Sequence, residues 1–409
     1  VGPWSHRYPH FGQAGNGIEF LQECLRWWGH WLRGQDTGVM EGPMVRLFVQ
    51  EHSPPSTTYA PKPGRWVAED AWPSEHIGSR ELVLGSDTLL DREAAHDLEP
   101  EPRQVRSPLT VGQLAGKWLA YSATPDMPGD QRPEDGGSLV FETALLEEPL
   151  DVVGAPAAVL DLSVDRPVAQ VAARLCDVPP AGPVTRVTYG LLNLTHRDSH
   201  EYPQALEPGA RYRVRVPLAH CAQRFEAGHR IRLSLSTSYW PLAWPPPEPV
   251  TLTVHTGTST LELPVRPPRD EDADLPAFEE PEAAPPFAVV ELEPGEYRCV
   301  LERDLATDET IYHRIKDGGL EHIRDLDLRT KGRAVEKYVH TGEDFESVRG
   351  EVEWLRELER GDWRIRTVCR TVQTCTKDTF RVVATMHAYE GDREVYSRSW
   401  DREIRRDLV

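Results

Sequence analysis

The chain has 409 residues, 39% of them hydrophobic, and is therefore long enough for two or three packed modules. Its 66 acidic and 46 basic residues give a net charge of −20, which argues against binding to nucleic acid or an anionic membrane. No apolar run approaches the ~20 residues that span a bilayer, and the six scattered cysteines fit free thiols in a reducing cytoplasm. A Cys369–Cys375 disulfide is the less favoured alternative.

The first six residues predict a sharp turn that presents a histidine. Gly2 and Pro3 favour the turn, His6 lies at its tip, and a long helical pattern follows. An α/β-hydrolase carries its general base on a loop of this kind, whereas the simpler alternative is a loop histidine that caps the next turn. Ser5 is excluded as a nucleophile because adjacent side chains on an extended turn point apart. Because the chain opens on Val1 rather than on Met, we expect a cut inside a longer protein.

Residues 16–33 predict an amphipathic helix with Asn16 as its N-cap and Gly34 as its stop. Its apolar positions recur at spacings of three and four: Ile18, Leu21, Leu25, Trp28 and Leu32. Further apolar residues widen this stripe, so the helix needs a large partner surface, and we expect that surface to be the sheet of a hydrolase domain.

From residue 39 to residue 265 the pattern changes to short strands between proline and glycine turns. Polar and apolar residues alternate with period two, as in the Arg211–Leu218 and Arg230–Leu235 segments. One polar and one apolar face predict antiparallel sheets that cover a core, and the number of strands favours a two-sheet jelly roll.

Residues 266–287 are rich in proline and acidic residues, and they predict a stiff, solvated connector. Strands resume at residue 288, with a hairpin at Ala306–Asp308 and another at Glu390–Asp392. Residues 288–409 therefore predict a second antiparallel module, and its edge strands make a homodimer an alternative to a monomer. The predicted domains are 1–38, 39–265, the linker 266–287 and 288–409.

Two further segments carry side chains that suit chemistry. The His196–Glu201 segment has a His-x-x-x-His spacing, but we expect a surface loop, because no predicted helix would bring the two imidazoles to one face. The aromatic, proline-rich Tyr239–Pro247 loop suits a wall of the acyl pocket or a stacking surface for sugar. The favoured alternative is a hydrophobic plug between the jelly roll and a hydrolase core. For His229 we expect a hydrogen-bonding role at the rim of the sandwich rather than catalysis.

Several segments together resemble the cocaine-esterase/NonD hydrolases, relatives of the X-Pro dipeptidyl-peptidases of the S15 type. They are Gly2–His6, Leu25–Gly34 with Asp36 and Gly38, Trp66, Trp72–Pro73, Arg174–Val178, Gly228–Leu233 and Ser236–Pro241. The resemblance implies a mainly β fold: a galactose-binding-like jelly roll preceded by the last helix of an α/β-hydrolase domain and followed by the second module. It also implies a serine hydrolase with a Ser-Asp-His triad.

The resemblance gives His6 the role of the triad histidine and makes Trp4, Tyr239 and Trp240 candidate substrate-pocket residues. No G-x-S-x-G motif occurs, so the nucleophile, its acid and the oxyanion donors are expected upstream, and the chain alone is expected to be inactive. The implied partner is a small-molecule ester or short acyl-peptide substrate, with no metal or organic cofactor. The alternative is a non-catalytic carbohydrate- or partner-binding β-sandwich, although a free-standing module of that kind has no need of the tryptophan-rich helix.

Overall fold

The computed structural model describes residues 1–4, 6–11, 16–58, 61–120 and 125–409. These residues form two compact units, and the fold is mainly β with antiparallel sheets, as the sequence predicts. The first unit holds the described residues of 1–120, 126–238 and 250–283, and the second holds Pro125, 239–249 and 284–409. None of the helices in the described part of the chain combines the length and the hydropathy needed to span a bilayer.

Two sheets make up the first unit. Its strands are β1 (Val45–Gln50), β2 (Gly64–Glu69), β3 (Gly78–Leu84), β4 (Leu89–Asp91), β5 (Pro102–Val105), β6 (Leu139–Glu142), β7 (Leu150–Gly154), β8 (Ala157–Val164), β9 (Gln170–Val178), β10 (Thr185–Asn193), β11 (Tyr212–Pro217), β12 (Cys221–Phe225), β13 (Arg230–Ser236), β14 (Leu252–His255) and β15 (Thr260–Arg266). The larger sheet has the order β2-β1-β12-β7-β15-β8-β14-β5, with β11 on β8, β3 on β15 and β4 on β3. The smaller sheet has the order β10-β9-β13-β6.

The core of this unit lies between the two sheets. Leu160 and Leu261 of the larger sheet and Leu175 and Ile231 of the smaller one belong to one buried cluster. Leu160, Leu261 and Ile231 come from strands whose sequences alternate with period two, whereas β9, which carries Leu175, is buried along nearly its whole length. The sequence pattern thus locates the first three of these core residues, while the jelly-roll topology itself stays a prediction.

The main helix, α1, spans Phe20–Arg33, and a second short helix, α2, spans Arg132–Asp135. Gly34 ends α1 in the left-handed conformation with φ 62°, as expected. The predicted start at Asn16 is wrong: the N-cap is Glu19, which makes no side-chain capping bond. The backbone carbonyl of Asn16 instead accepts a hydrogen bond from Trp4 Nε1 at 2.8 Å, which ties it to the preceding turn.

The segment predicted as a solvated connector makes contacts within the first unit. Its first residue, Arg266, is fully buried and binds Asp272 in a 3-10 turn at Asp270–Asp274. The Phe278 ring lies 4.8 Å from that of Trp66, and the guanidinium carbon of Arg46 lies 3.7 Å above Phe278. These residues pack rather than run free, while the predicted domain boundaries stay predictions.

The second unit is one antiparallel sheet of long strands. They are β16 (Val289–Glu293), β17 (Glu296–Arg303), β18 (Glu309–Ile323), β19 (Leu328–Thr341), β20 (Asp344–Arg360), β21 (Trp363–Cys375), β22 (Thr379–Glu390) and β23 (Arg393–Arg405). The order is β16-β18-β19-β20-β21-β22-β23, with β17 also on β18. Both predicted hairpins are confirmed, and Asp308 takes a positive φ of 57° in the first of them. All six cysteines lie among the described residues and are free thiols, as predicted.

Candidate functional site

The turn that carries His6 is held in place by the residues on either side of it. The Trp4 ring lies 5.9 Å from that of Trp66, and Pro3 is buried. The His6 backbone N–H donates to the carbonyl of Ala120 at 3.2 Å, and its side chain is exposed. Ser5 lies outside the described residues. Trp4 is therefore packed against Trp66, and His6 presents its imidazole at the surface, as the sequence pattern predicts.

The apolar face of α1 is open over most of its length. Exposed fractions are 71% for Leu25, 54% for Trp28, 55% for Trp31 and 74% for Leu32, and Gly29 is the buried residue of the helix. Surfaces of soluble proteins rarely keep such a contiguous apolar patch unless it binds something. This face is therefore a candidate interface.

The aromatic loop has a packing partner that neither sequence interpretation named. Tyr239 and Trp240 are 0% and 2% exposed, and both belong to the second unit. The Trp240 ring meets that of Tyr338 edge-on at 5.7 Å, and Trp244 meets Phe380 in the same way at 5.6 Å. The rings thus pack on the sheet of the second unit, and a substrate-pocket role for Tyr239 and Trp240 stays a prediction.

The His196–Glu201 segment brings its two imidazoles together, against expectation. A 3-10 turn at Leu194–His196 redirects the chain, and the Nδ1 atoms of His196 and His200 lie 3.3 Å apart. The His200 contact is exposed to solvent, and His200 and His196 belong to no cluster of three ligand-type residues among those described. The pair is a surface feature, in line with the expected loop.

A second group of titratable side chains comes from three distant parts of the chain. His52 Nδ1 lies 2.7 Å from Asp177 Oδ2, and His229 Nδ1 lies 2.7 Å from Asp177 Oδ1. The two imidazole rings are 4.8 Å apart and edge-on to each other. One carboxylate therefore holds two imidazoles, one on each oxygen. The hydrogen-bonding role expected for His229 is confirmed.

Strand pairing places these side chains. Asp177 ends the apolar run of β9, and His229 immediately precedes β13, whose Ile231 is paired with Asp177. His52 follows β1 after Gln50. Side-chain exposure is 1% for Asp177, 10% for His229 and 22% for His52, so the carboxylate is buried and one imidazole reaches solvent.

A cavity of about 290 Å³ borders this group. Its lining includes Asp177, Ser53, Lys62 and Tyr189. Lys62 Nζ donates to Ser53 Oγ at 3.0 Å, and burial lowers the pKa of Lys62 below the usual lysine value. Burial likewise raises the pKa of the Tyr189 phenol. The cavity is thus a partly dehydrated, polar space.

Sequence spacing gave no sign of this group, because residues 52, 177 and 229 belong to no common motif. The available signal was indirect: Arg174–Val178 and Gly228–Leu233 are both segments that carry the family resemblance. In the structure these two segments are neighbouring strands, and His52 joins them from a loop.

Comparison with known proteins decides the family. The model of the X-Pro dipeptidyl-peptidase C-terminal non-catalytic domain matches residues 37–272, more than half of the chain. The chain belongs to this family. The resemblance to cocaine-esterase/NonD and X-Pro dipeptidyl-peptidase proteins, and the match to their C-terminal portion, is therefore confirmed.

Curated relatives of this family member are named as hydrolases. The chain is 26% identical over 268 residues to a cocaine esterase of Rhodococcus sp. (strain MB1 Bresler), covering 59% of this chain and 43% of the relative. It is 24% identical over 265 residues to a putative Xaa-Pro dipeptidyl-peptidase of Bacillus anthracis, covering 64% and 39%. The chain thus matches well under half of the length of these relatives.

Among solved structures, an α-amino acid ester hydrolase labelled with selenomethionine resembles the chain with a TM-score of 0.50 and 21% identity. The likeness covers 65% of this chain and 49% of that one. At this identity it supports the fold and nothing more.

Proposed function

We propose that the chain is the C-terminal part of a serine hydrolase that cleaves ester or acyl-peptide bonds through a Ser-Asp-His triad. In this proposal His6 is the general base that takes the serine proton and then the general acid that returns it to the leaving group. The nucleophile, the orienting acid and the oxyanion donors lie in a preceding α/β-hydrolase domain.

The observation that carries the proposal is the combination of an anchored histidine turn with the open apolar face of α1. Trp28 and Trp31 are more than half exposed, so burying this face against a hydrolase sheet would remove a large apolar area from water. His6 begins the same stretch of chain, and docking the helix would therefore position its imidazole as well. The named activities of the relatives favour the same reaction class.

An apolar cavity beside the turn supports a substrate-binding role for this region. It has a volume of about 550 Å³, and its lining includes Gly2, Phe48 and Trp72. We propose that it contributes to the acyl pocket together with Trp4, and that the jelly-roll domain closes one side of the cleft. Tyr239 and Trp240 stay proposed pocket residues.

The test is hydrolysis of p-nitrophenyl acetate by the full-length parent and by this chain alone. We expect turnover by the parent and none by the chain, because triad chemistry needs all three groups held together. His6→Ala in the parent should lower kcat by about 10⁴-fold or more.

The matched control is His10→Phe, which lies four residues further on and keeps a ring to stack on Phe20. It should leave kcat within a few-fold of the wild type. Turnover by the parent that survives His6→Ala would refute the assignment and leave the non-catalytic binding module as the better explanation.

A further inference from the structure

We propose that His52, Asp177 and His229 bind one divalent transition-metal ion of the zinc type. This site is independent of the proposed hydrolase chemistry, and it uses none of the residues assigned to that reaction.

The donor set suits this class of metal. Two imidazole nitrogens and one carboxylate oxygen are available, and the three ligand atoms lie within 4.8 Å of one another. Imidazole suits zinc, copper, iron and nickel, whereas magnesium and calcium prefer oxygen ligands. Two histidines with one carboxylate favour zinc or a metal with similar ligand preferences.

The present distances between the imidazole nitrogens and the carboxylate are shorter than those between ligands of a bound metal, so the side chains must move apart when the metal binds. In a tetrahedral zinc site with bonds of about 2.0–2.2 Å, ligand atoms stand roughly 3.3–3.6 Å apart. The two Nδ1-to-carboxylate distances are 2.7 Å, so each gap must open by roughly 0.6–0.9 Å. His52 allows this, because it lies in the loop after β1 and is 22% exposed.

Metal binding requires the proton on each Nδ1 to move. In the metal-free group each Nδ1 faces a carboxylate oxygen, which only accepts hydrogen bonds, so Nδ1 is the donor. That proton leaves Nδ1 before its lone pair binds the metal: it passes through solvent to Nε2, or to water where Nε2 already carries a proton. The carboxylate binds as the anion. The step is therefore ligand exchange with metal-bound water, and no redox partner is needed.

The charge around Asp177 provides the independent argument. Two other buried carboxylates of the first unit face guanidinium groups: Asp151 pairs with Arg65 and Arg224, and Glu69 pairs with Arg266. The ion-pair partners of Asp177 are the two imidazoles. A buried carboxylate costs free energy unless a positive charge or strong donors compensate it. A divalent cation at this point would supply the charge that arginine supplies elsewhere.

The scaffold would hold the metal rigidly while leaving room for another ligand. Asp177 stands on β9 and His229 immediately precedes the paired strand β13, and strands fix ligands more tightly than loops do. Three protein ligands leave a fourth position for water, and the bordering cavity reaches Asp177. The site therefore resembles an exchangeable metal site more than a closed structural one.

The experiment is a titration of the chelator-treated, full-length chain with Co²⁺, followed by the visible absorption of the bound ion and by displacement with Zn²⁺. We expect one ion per chain and a tetrahedral cobalt spectrum. His52→Ala removes a partly exposed ligand and should weaken binding by at least about tenfold, since even residues that only orient ligands contribute that much.

His200→Ala is the matched control, because it disrupts another close imidazole pair among the described residues, the one that His200 forms with His196. It should leave both stoichiometry and affinity unchanged. Circular dichroism verifies that each variant is folded. The proposal is overturned if the folded wild type binds no ion, if His52→Ala binds as tightly as the wild type, or if His200→Ala abolishes the spectrum.

Discussion

Arg266→Met should be among the most destabilising single substitutions in the first unit. Arg266 and Glu69 both have fully buried side chains, and the Arg266 Nε donates to Glu69 Oε1 at 2.6 Å. The Arg266 Nη1 and Nη2 atoms also donate to the Asp272 carboxylate at 2.7 and 2.8 Å. Methionine fills much of the volume but removes the closest cation of Glu69, and the remaining guanidinium, that of Arg269, lies 3.6 Å from Glu69 Oε2. Breaking a buried pair in this way costs about 3–5 kcal/mol of unfolding free energy.

Urea denaturation measures this cost. With an m-value of about 3 kcal/mol/M, the midpoint of the first unit should fall by about 1–1.7 M. Arg80→Met is the matched control, because the Arg80–Asp91 pair lies in the same unit, its side chains are 34% and 55% exposed, and it should contribute little. Removing both buried charges in Arg266→Met/Glu69→Leu should recover part of the loss, since a buried pair gains little over apolar side chains.

Two results would contradict the reasoning. One is an Arg266→Met midpoint equal to that of the wild type. The other is a double variant with the summed losses of its two single variants, because the stranded-charge argument requires the second substitution to relieve the first.

Two further substitutions test the same unit. Glu69→Gln should have a lower urea midpoint than the wild type at neutral pH, and this difference should disappear in acid. Burial opposes ionisation of Glu69, but hydrogen bonds from Ser74 and Arg266 outweigh burial and hold the pKa of Glu69 below its usual value. The wild-type advantage in urea midpoint should therefore be constant above about pH 5 and shrink below about pH 4.3, the usual glutamate pKa; an advantage that grows in acid would contradict this. Gly190→Ala in β10 should lower the free energy of unfolding by about 1–3 kcal/mol or more, because its Cβ would lie 2.1 Å from the Pro217 carbonyl oxygen. The control is Gly78→Ala in β3, whose Cβ would meet nothing within 4 Å, so its urea midpoint should match that of the wild type. Equal midpoints for the two variants would refute the steric argument.

Local pattern was enough to predict several strands and one end of the helix. Alternation with period two located core residues such as Leu160 and Ile231, and Gly34 marked the end of α1 because a left-handed C-cap strongly favours glycine. The start of α1 was predicted four residues early. Asn16 is a favourable cap in isolation, but its carbonyl is engaged by the Trp4 indole.

Contacts between distant segments could not be predicted in this way. The hydrogen bonds of Asp177 require His52 from a loop and His229 from the residue before β13, and the spacing of these residues in the sequence does not relate them. The partner of Trp240 is equally remote in sequence, because Tyr338 lies almost 100 residues later. Both features depend on strand order, which a single sequence leaves open.

The membership of the Tyr239–Pro249 loop in the second unit has a consequence for protein engineering. Trp240 and Trp244 pack on Tyr338 and Phe380, and Arg406 Nη2 donates to the Pro245 carbonyl at 2.7 Å. Deleting everything after residue 287 would therefore expose the Trp240 and Trp244 side chains to solvent. Grafting residues 288–409 onto another protein would expose the surface of the sheet on which these two rings pack. Residues 288–409 are thus not an independent module. A chimera that uses them would have to include the eleven residues of Tyr239–Pro249, which belong to the same unit.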